Sequence, residues 1–367
     1  MSSRETVLHV RIVSGRGGGP EKTILNSARF LEGTAYRSIA VYLHAPGDTG
    51  IDDLAEKARE KGSPFVALTD EHIIDFKTLK ALRELCKREN VAIWHGHDYK
   101  SNLYGLMLRK KAGFRLVTTV HGWVKHTYKT PIYYAVDRWC IRRYEQVVCV
   151  SSDLEEQCLA FGVKRDRLQH IPNAIDTEEF RTNRESSHSA EPLVIGAVGR
   201  LSKEKGFDLL ITAVAKLVRE GLDLELHIAG EGEESQALAD HASSLGISDR
   251  VKLLGFQSDT VALFDTFDLF CLASLREGLP NVVLEAMSME VPVLATRCGG
   301  MESFAVDRRE ALLCPTGSAE ALAAGLRELA TDQSLRTALA KTARARIEAD
   351  YSFETRMRRI AATYDAK

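Results

Sequence analysis

Short β-branched runs alternate with amphipathic segments along this chain, and the alternation stops once and begins again; no other feature restricts the fold as much. Strand-like runs lie at 7–13, 37–43, 65–69, 91–94, 115–120 and 146–150, with helical patterns between them. A strand that returns parallel to its neighbour needs a crossover, usually a helix, so the rhythm predicts a parallel sheet covered by helices on both faces. It breaks at Thr182–Pro192 (TNRESSHSAEP), a polar stretch with no apolar period that reads as a linker. It restarts with Val194–Gly199, a helix from about Phe207 to Glu220, the strand Leu224–Ala229 and further units to about residue 314. A length of 367 residues suits two domains better than one core. The expectation is two α/β domains in tandem, 1–182 and 192–350, with the helical segment 351–367 packing back on the first. Parallel sheets facing each other would set the carboxyl ends of their strands along one inter-domain cleft, where open α/β sheets bind ligands.

Composition excludes some functions. Lys and Arg total 49 against 51 acidic residues, so no global field favours nucleic acid and any anion site must be local. Seven cysteines (Cys86, Cys140, Cys149, Cys158, Cys271, Cys298, Cys314) are scattered and mostly sit in apolar runs, the usage of reduced thiols in a cytoplasmic protein. Met1-Ser2-Ser3-Arg4-Glu5 leads directly into Val7–Val13 without a signal-peptide pattern. The longest apolar stretches fall short of the roughly 20 residues that cross a bilayer.

The segment Glu277–Met287 (EGLPNVVLEAM) aims two carboxylates and a helix start at one place. Pro280 suits the first helical position, Gly278 lets the backbone ahead of it bend, and the N–H groups of residues 281–283 would then offer an anion site. Glu277 falls in the loop and Glu285 on the second turn; carboxylates beside a phosphate are better employed accepting from the hydroxyls of a sugar or ribose. The pattern therefore reads as a nucleotide-sugar site. Gly199–Asp208 (GRLSKEKGFD) follows the first strand of the second domain, and its Arg200 and Lys205 flank a loop opening into a helix, so two cations could converge on a diphosphate. The plain alternative is a solvated loop.

Ser14–Glu21 (SGRGGGPE), with Gly17, Gly18 and Gly19, follows the first strand and allows close backbone approach, or is simply a tight connection. It is no dinucleotide fingerprint, because counting from Gly15 the sixth position is Pro20, and it lacks the Gly-Lys-Ser/Thr of a Walker loop. His121-Gly122-Trp123 ends the apolar strand Leu116–Val120, a place that touches ligands in open sheets. His95 and His97, two residues apart, lack further ligands at metal-site spacing. Gly230–Glu233 and Leu254–Gln257, each just after a strand, suit a nucleobase.

In chain order these motifs resemble the retaining glycosyltransferases of family 4, the group 1 glycosyl transferases of GT-B architecture, with two facing Rossmann-like domains. The resemblance spans nearly the whole chain, through Val150-Ser151-Ser152, Ile171–Asp176, Val198–Leu201, Ile228–Gly232, Glu277…Glu285 and Cys298-Gly299-Gly300. It implies that Arg200 and Lys205 bind the donor diphosphate, Glu285 the ribose and Glu277 the transferred sugar, with Gly278, Leu279, Pro280, Asn281 and Val282 lining the same loop. His121 would lie beside the anomeric region, Gly17–Gly19 would let the first domain approach the phosphates, and Gly230, Phe256 and Gln257 would border the base. Acceptor contacts are expected from His97, Asp98, Trp123 and Lys125. The implied donor is a UDP-sugar ahead of a GDP-sugar, the transferred group a hexose, and the acceptor a glycan, lipid-linked or small molecule. No cofactor and no metal are expected, since the chain has no Asp-x-Asp and Arg200 with Lys205 supplies the charge. Three other readings stay open: a glycosidase using Glu277 and Glu285, a nucleotide-sugar hydrolase or epimerase, and a non-catalytic nucleotide-sugar-binding module. Basic and aromatic residues at Arg109–Lys111, Tyr133-Tyr134, Trp139, Arg142–Tyr144 and Arg356–Arg359 read either as solvated helix faces with buried aromatics or as a peripheral contact with anionic lipid.

Overall fold

A computed structural model describes residues 4–15, 17, 19–122, 130–182 and 192–366. The chain divides into two compact units, Met1–Pro172 joined by Phe353–Lys367, and Asn173–Ser352. The first contains a seven-stranded sheet built from β1 (Glu5–Val13), β2 (Tyr36–His44), β3 (Phe65–Thr69), β4 (Val91–Gly96), β5 (Arg115–Val120), β6 (Gln146–Cys149) and β7 (Leu168–His170), in the order β3-β2-β1-β4-β5-β6-β7. Every pairing in it is parallel. The second unit repeats the plan with β8 (Leu193–Val198), β9 (Leu224–Ala229), β10 (Val251–Gly255), β11 (Leu269–Leu272), β12 (Val293–Thr296) and β13 (Leu312–Cys314), in the order β10-β9-β8-β11-β12-β13, again parallel throughout.

These are the two Rossmann-like sheets the alternation predicted. Strands covered by helices on both faces are apolar on both, and β6, β11 and β12 are buried at every position. In each unit the first strand is central, and the order reverses between it and the strand on its other side, β1 with β4 and β8 with β11. Helices leave in opposite directions at such a switch point and open a crevice at the carboxyl ends of the strands. β7 was not foreseen: only Leu168 of its three residues is buried, too little for a periodic signal.

The chain passes from the first unit to the second at Pro172–Asn173, ahead of the polar stretch. Residues between the two are not linker-like, because Ile175 and Phe180 join the second core. Arg344 also donates to the Thr177 carbonyl at 3.0 Å and the Phe180 carbonyl at 2.7 Å. At the other crossing, helix Phe353–Asp365 returns to the first unit and buries Phe353, Met357, Ile360 and Tyr364 against Val7, Ile93, Val117 and Val148. The guanidinium of Arg356 goes inside with it, donating to the Ile171 carbonyl at 2.9 Å and to that of Pro172. Burial draws its pKa down to about 10, so it stays charged at neutral pH, solvated by carbonyls in place of water. All seven cysteines are buried free thiols. Among the described residues no helix is long and apolar enough to cross a membrane.

Candidate active site

In the second unit the predicted residues gather at the carboxyl ends of the strands. After β8 the chain makes a single turn at Lys203–Lys205, and Gly206, in the left-handed region at φ 64°, launches helix Phe207–Arg219. Lys205 Nζ pairs with Glu277 Oε1, which also accepts from Ser274 Oγ at 3.0 Å, and the Leu275 N–H donates to the Glu204 carbonyl at 2.8 Å. The loops after β8 and β11 are thus tied by an ion pair and a backbone bond. Lys205 and Glu277 are mostly covered, whereas Arg200 lies 3.5 Å from Glu204 and stands largely in solvent. An exposed pair of that kind is weak, so the guanidinium can turn to a phosphate. Cys298-Gly299-Gly300 lets the Glu277 loop pass closely: a Cβ on Gly300 would lie 2.4 Å from the Gly278 carbonyl oxygen.

Two details of the helix start differ from expectation. Pro280 is the residue before the helix, extended at φ −76° and ψ 130°, and Asn281–Ser288 is the helix itself. With that ψ its carbonyl accepts from the Val283 N–H at 3.1 Å, leaving Asn281 and Val282 as the first-turn donors that helix geometry offers a ligand. Glu285 is almost fully buried on the second turn. Asn281 Oδ1 and Ser202 Oγ are enclosed without a hydrogen-bond partner, orphans of the kind a bound ligand satisfies. Gly230, at φ 142°, brings the loop after β9 against that after β8, where a Cβ would sit 1.9 Å from the Gly199 carbonyl oxygen. Beyond β10 the Phe256 ring is half exposed, and Gln257 Nε2 donates to the Leu254 carbonyl at 2.8 Å, so its amide serves the turn.

The first unit is built from different groups. Gly17 takes φ 70° and Gly19 begins helix Gly19–Phe30, whose buried Glu21 pairs with Arg11 of β1. Gly18, Trp123 and Lys125 lie outside the described residues. Asp98, expected to meet the acceptor, caps helix Tyr99–Ala112: its Oδ1 accepts from the Lys100 and Ser101 N–H groups at 2.9 Å, and its Oδ2 from the Ile12 N–H at 2.7 Å. Its oxygens are committed to backbone.

His97 is brought together with His121 and with two further imidazoles, His9 and His95. His9 and His95 are register partners on β1 and β4. The rings stack across the sheet, with centroids 4.7 Å apart for His9–His95, 4.6 Å for His95–His97 and 5.4 Å for His97–His121. His9 Nδ1 lies 3.0 Å from His97 Nε2, and His97 Nδ1 lies 3.1 Å from His121 Nε2. His95 is held separately by the Tyr364 hydroxyl at 2.7 Å and Thr119 Oγ1 at 2.8 Å. Burial is the main cause that keeps all four well below the usual imidazole range, His9 at about 3; Arg356 adds to it at His9, His95 and His121, and Arg11 at His97 and His121. At neutral pH they are uncharged.

His97, His121, Arg11, Asn102, Tyr133 and Asp137 border a cavity of about 410 Å³ at this end of the sheet. A larger cavity in the second unit, about 650 Å³, touches Asp268 and Pro292 at the amino ends of β11 and β12, away from the strand ends where Lys205 and Glu277 meet. Open sheets bind at the carboxyl ends, so that larger cavity is not the candidate site. Sequence reasoning missed His9 and Arg11. Their signal was two polar residues at alternate positions among the buried apolar Val7, Leu8, Val10 and Val13.

Two adjoining family models match the chain, Glycosyltransferase Family 4 over residues 17–179 and Glycosyl transferases group 1 over residues 179–346. The chain is 27% identical to the lipopolysaccharide core biosynthesis glycosyltransferase LpsE of Rhizobium meliloti, over 93% of this chain and 94% of that protein. It is 24% identical to an Escherichia coli UDP-Gal:alpha-D-GlcNAc-diphosphoundecaprenol alpha-1,3-galactosyltransferase, over 85% of each. In structure it is similar to Anabaena HepE in complex with UDP, with a TM-score of 0.82 at 20% identity over 98% of this chain and 99% of the other. The same protein in complex with UDP-glucose superposes with a TM-score of 0.81.

Proposed function

This chain belongs to the family 4 glycosyltransferases of GT-B fold, and on that premise we propose that it moves a hexose from a UDP-sugar, with retention of configuration, to a hydroxyl of a glycan, lipid-linked or small-molecule acceptor. The observation that carries the reading is the Lys205–Glu277 pair, whose Glu277 stands in the loop just before the helix start at Asn281. A diphosphate arriving there would draw Lys205 to itself and free the Glu277 carboxylate for a sugar hydroxyl. The uridine base comes to the proposal from the UDP and UDP-glucose bound by HepE, and the glycan or lipid-linked acceptor from the two related transferases.

Breaking the bond from the anomeric carbon to phosphate oxygen builds positive charge on the sugar and negative charge on the departing diphosphate. Arg200, Lys205 and the N–H groups of Asn281 and Val282 answer the second charge before the reaction begins. In the proposed mechanism the acceptor attacks from the face the leaving group quits and a phosphate oxygen takes its proton, so no side chain is assigned as base. The same two cations make the proposed reaction independent of metal. A glycosidase would flank its bond with two accessible carboxylates; the burial of Glu285 and the engagement of Glu277 by Lys205 count against it.

The test is UDP release from UDP-sugars with and without an acceptor. Acceptor-dependent release, unchanged by EDTA, supports the proposal; release at one rate regardless of acceptor makes the protein a hydrolase. Peripheral membrane contact is part of the same proposal. Ile132 and Trp139 are exposed on helix Thr130–Ile141, and the Arg143 guanidinium lies 3.9 Å over the Trp139 ring. Failure to co-sediment with anionic vesicles at low salt removes that part alone.

A further inference from the structure

Imidazoles that are buried and neutral can be read for direction. Each carries one N–H donor and one bare acceptor nitrogen, so a chain of hydrogen-bonded rings has only two arrangements. Along His9–His97–His121 either every Nδ1 holds the proton and each bond points toward His121, or every Nε2 holds it and each bond points back toward His9. The two arrangements differ at the inner end. His9 Nε2 is fully enclosed and has no partner among the described residues. In the first arrangement it is a bare lone pair; in the second it is an N–H buried without an acceptor, the costlier orphan.

We propose that His9 and His97 are positioning residues that fix His121 as the Nδ1–H tautomer, making it a neutral, directed hydrogen-bond donor to an oxygen of a ligand in the first unit's cavity. The identity of that ligand as the sugar or its leaving phosphate rests on the glycosyltransferase reading; the polarity of the chain does not.

The surroundings favour the uncharged chain. Arg11 donates to the His97 carbonyl at 3.3 Å and Arg356 approaches from the terminal helix, and both cations oppose a proton on the rings. The nearby carboxylates are engaged elsewhere, Glu21 with Arg11, Asp98 with backbone N–H groups and Asp137 with the Asn102 amide at 2.7 Å. Nitrogens of His9, His95 and His97 lie within 4.8 Å of one another, which raises a metal ion as the rival. Both His95 nitrogens already bond, to Tyr364 and Thr119, which leaves His9 and His97 alone, short of the donors a tetrahedral ion needs.

Full-length protein labelled with [15N]histidine settles the tautomers, because two-bond 1H–15N correlations separate Nδ1–H, Nε2–H and imidazolium rings. The expected spectrum shows His9, His97 and His121 as neutral Nδ1–H rings across about pH 6–8. An Nε2–H or charged His121, or purified protein carrying stoichiometric zinc on these rings, overturns the proposal. His9→Phe removes the first donor, and His9→Asn restores an N–H near the place of Nδ1. In His9→Phe, His121 should become a tautomer mixture and kcat should fall about tenfold with the donor KM little changed, His9→Asn recovering most of the loss. Equal impairment of both variants with the His121 tautomer unchanged would leave His9 a packing residue and sink the idea; should His9→Phe not fold, the wild-type spectrum decides alone. Absence of turnover with every UDP-sugar beside the expected spectrum would mark the functional reading as the one at fault.

Discussion

At the carboxyl ends of their strands the two units, alike in fold, handle charge in opposite ways. The second places Lys205 against Glu277, keeps Arg200 loose in solvent and adds a helix start at Asn281. The first neutralises Arg11 with Glu21, spends Asp98 on a helix cap and fills the crevice with uncharged imidazoles. On the proposed function the contrast has a physical reason. A departing diphosphate gains negative charge, so fixed cations and N–H dipoles hold it best. Hydroxyls and ring oxygens are neutral; they need direction, which a neutral donor of fixed tautomer supplies without the desolvation penalty of a buried charge.

The contrast breaks most readily at its charged end. Arg200→Ala/Lys205→Ala should lower kcat/KM about 10³-fold or more and abolish the thermal shift given by UDP; a loss under tenfold would mean that charge is not what holds the donor. Glu277→Gln keeps a hydrogen-bonding side chain but removes the carboxylate, and about 10²-fold lower kcat with UDP binding retained is the outcome expected if it grips the sugar.

On the neutral side, Arg356→Met strips the Ile171 and Pro172 carbonyls of their buried donor and should cost about 2–3 kcal/mol in urea unfolding. Acid acts more gently. His9 is held at about 3 and His95 and His97 well below 6.5, so below pH 6.5 the unfolded chain binds protons that the folded chain refuses. Stability is therefore complete above that pH and lost as pH falls toward the folded values, by at most about 1.4 kcal/mol per pH unit for each ring. A Tm that does not drop between pH 7 and pH 5, or drops equally in His9→Phe, would contradict neutral imidazoles. The smallest effect belongs to Phe256→Ala, about three- to tenfold weaker UDP binding by calorimetry if the half-exposed ring carries the base.

What could be read from sequence was what depends on neighbours along the chain. Apolar runs mark the buried strands, and Lys205 and Glu277, each standing where a strand gives way to a helix, come together as a pair. Asp98 carries a local duty that its position in a strand-to-helix loop hides: Asp98-Tyr99-Lys100-Ser101 is a capping box, and its carboxylate serves the helix that follows. The pairing of His9 was out of reach for another reason. Its partner His97 lies 88 residues on, and the two meet only because β4 joins β1 across the switch point, an order that one sequence does not display. Along the sequence His95 and His97 have no third and fourth ligand at metal-site spacing; space brings in His9 alone, and both His95 nitrogens are taken by Tyr364 and Thr119.

Helix Phe353–Asp365 makes the first unit discontinuous, and this sets an order on its birth. A ribosome that has finished Pro172 has not finished that unit: Val7, Ile93, Val117 and Val148 still lack their cover, and His95 still lacks the Tyr364 hydroxyl. The whole second unit must be synthesised before that cover arrives. The imidazole column is therefore among the last parts of the molecule to be completed, after the loops that carry Lys205 and Glu277.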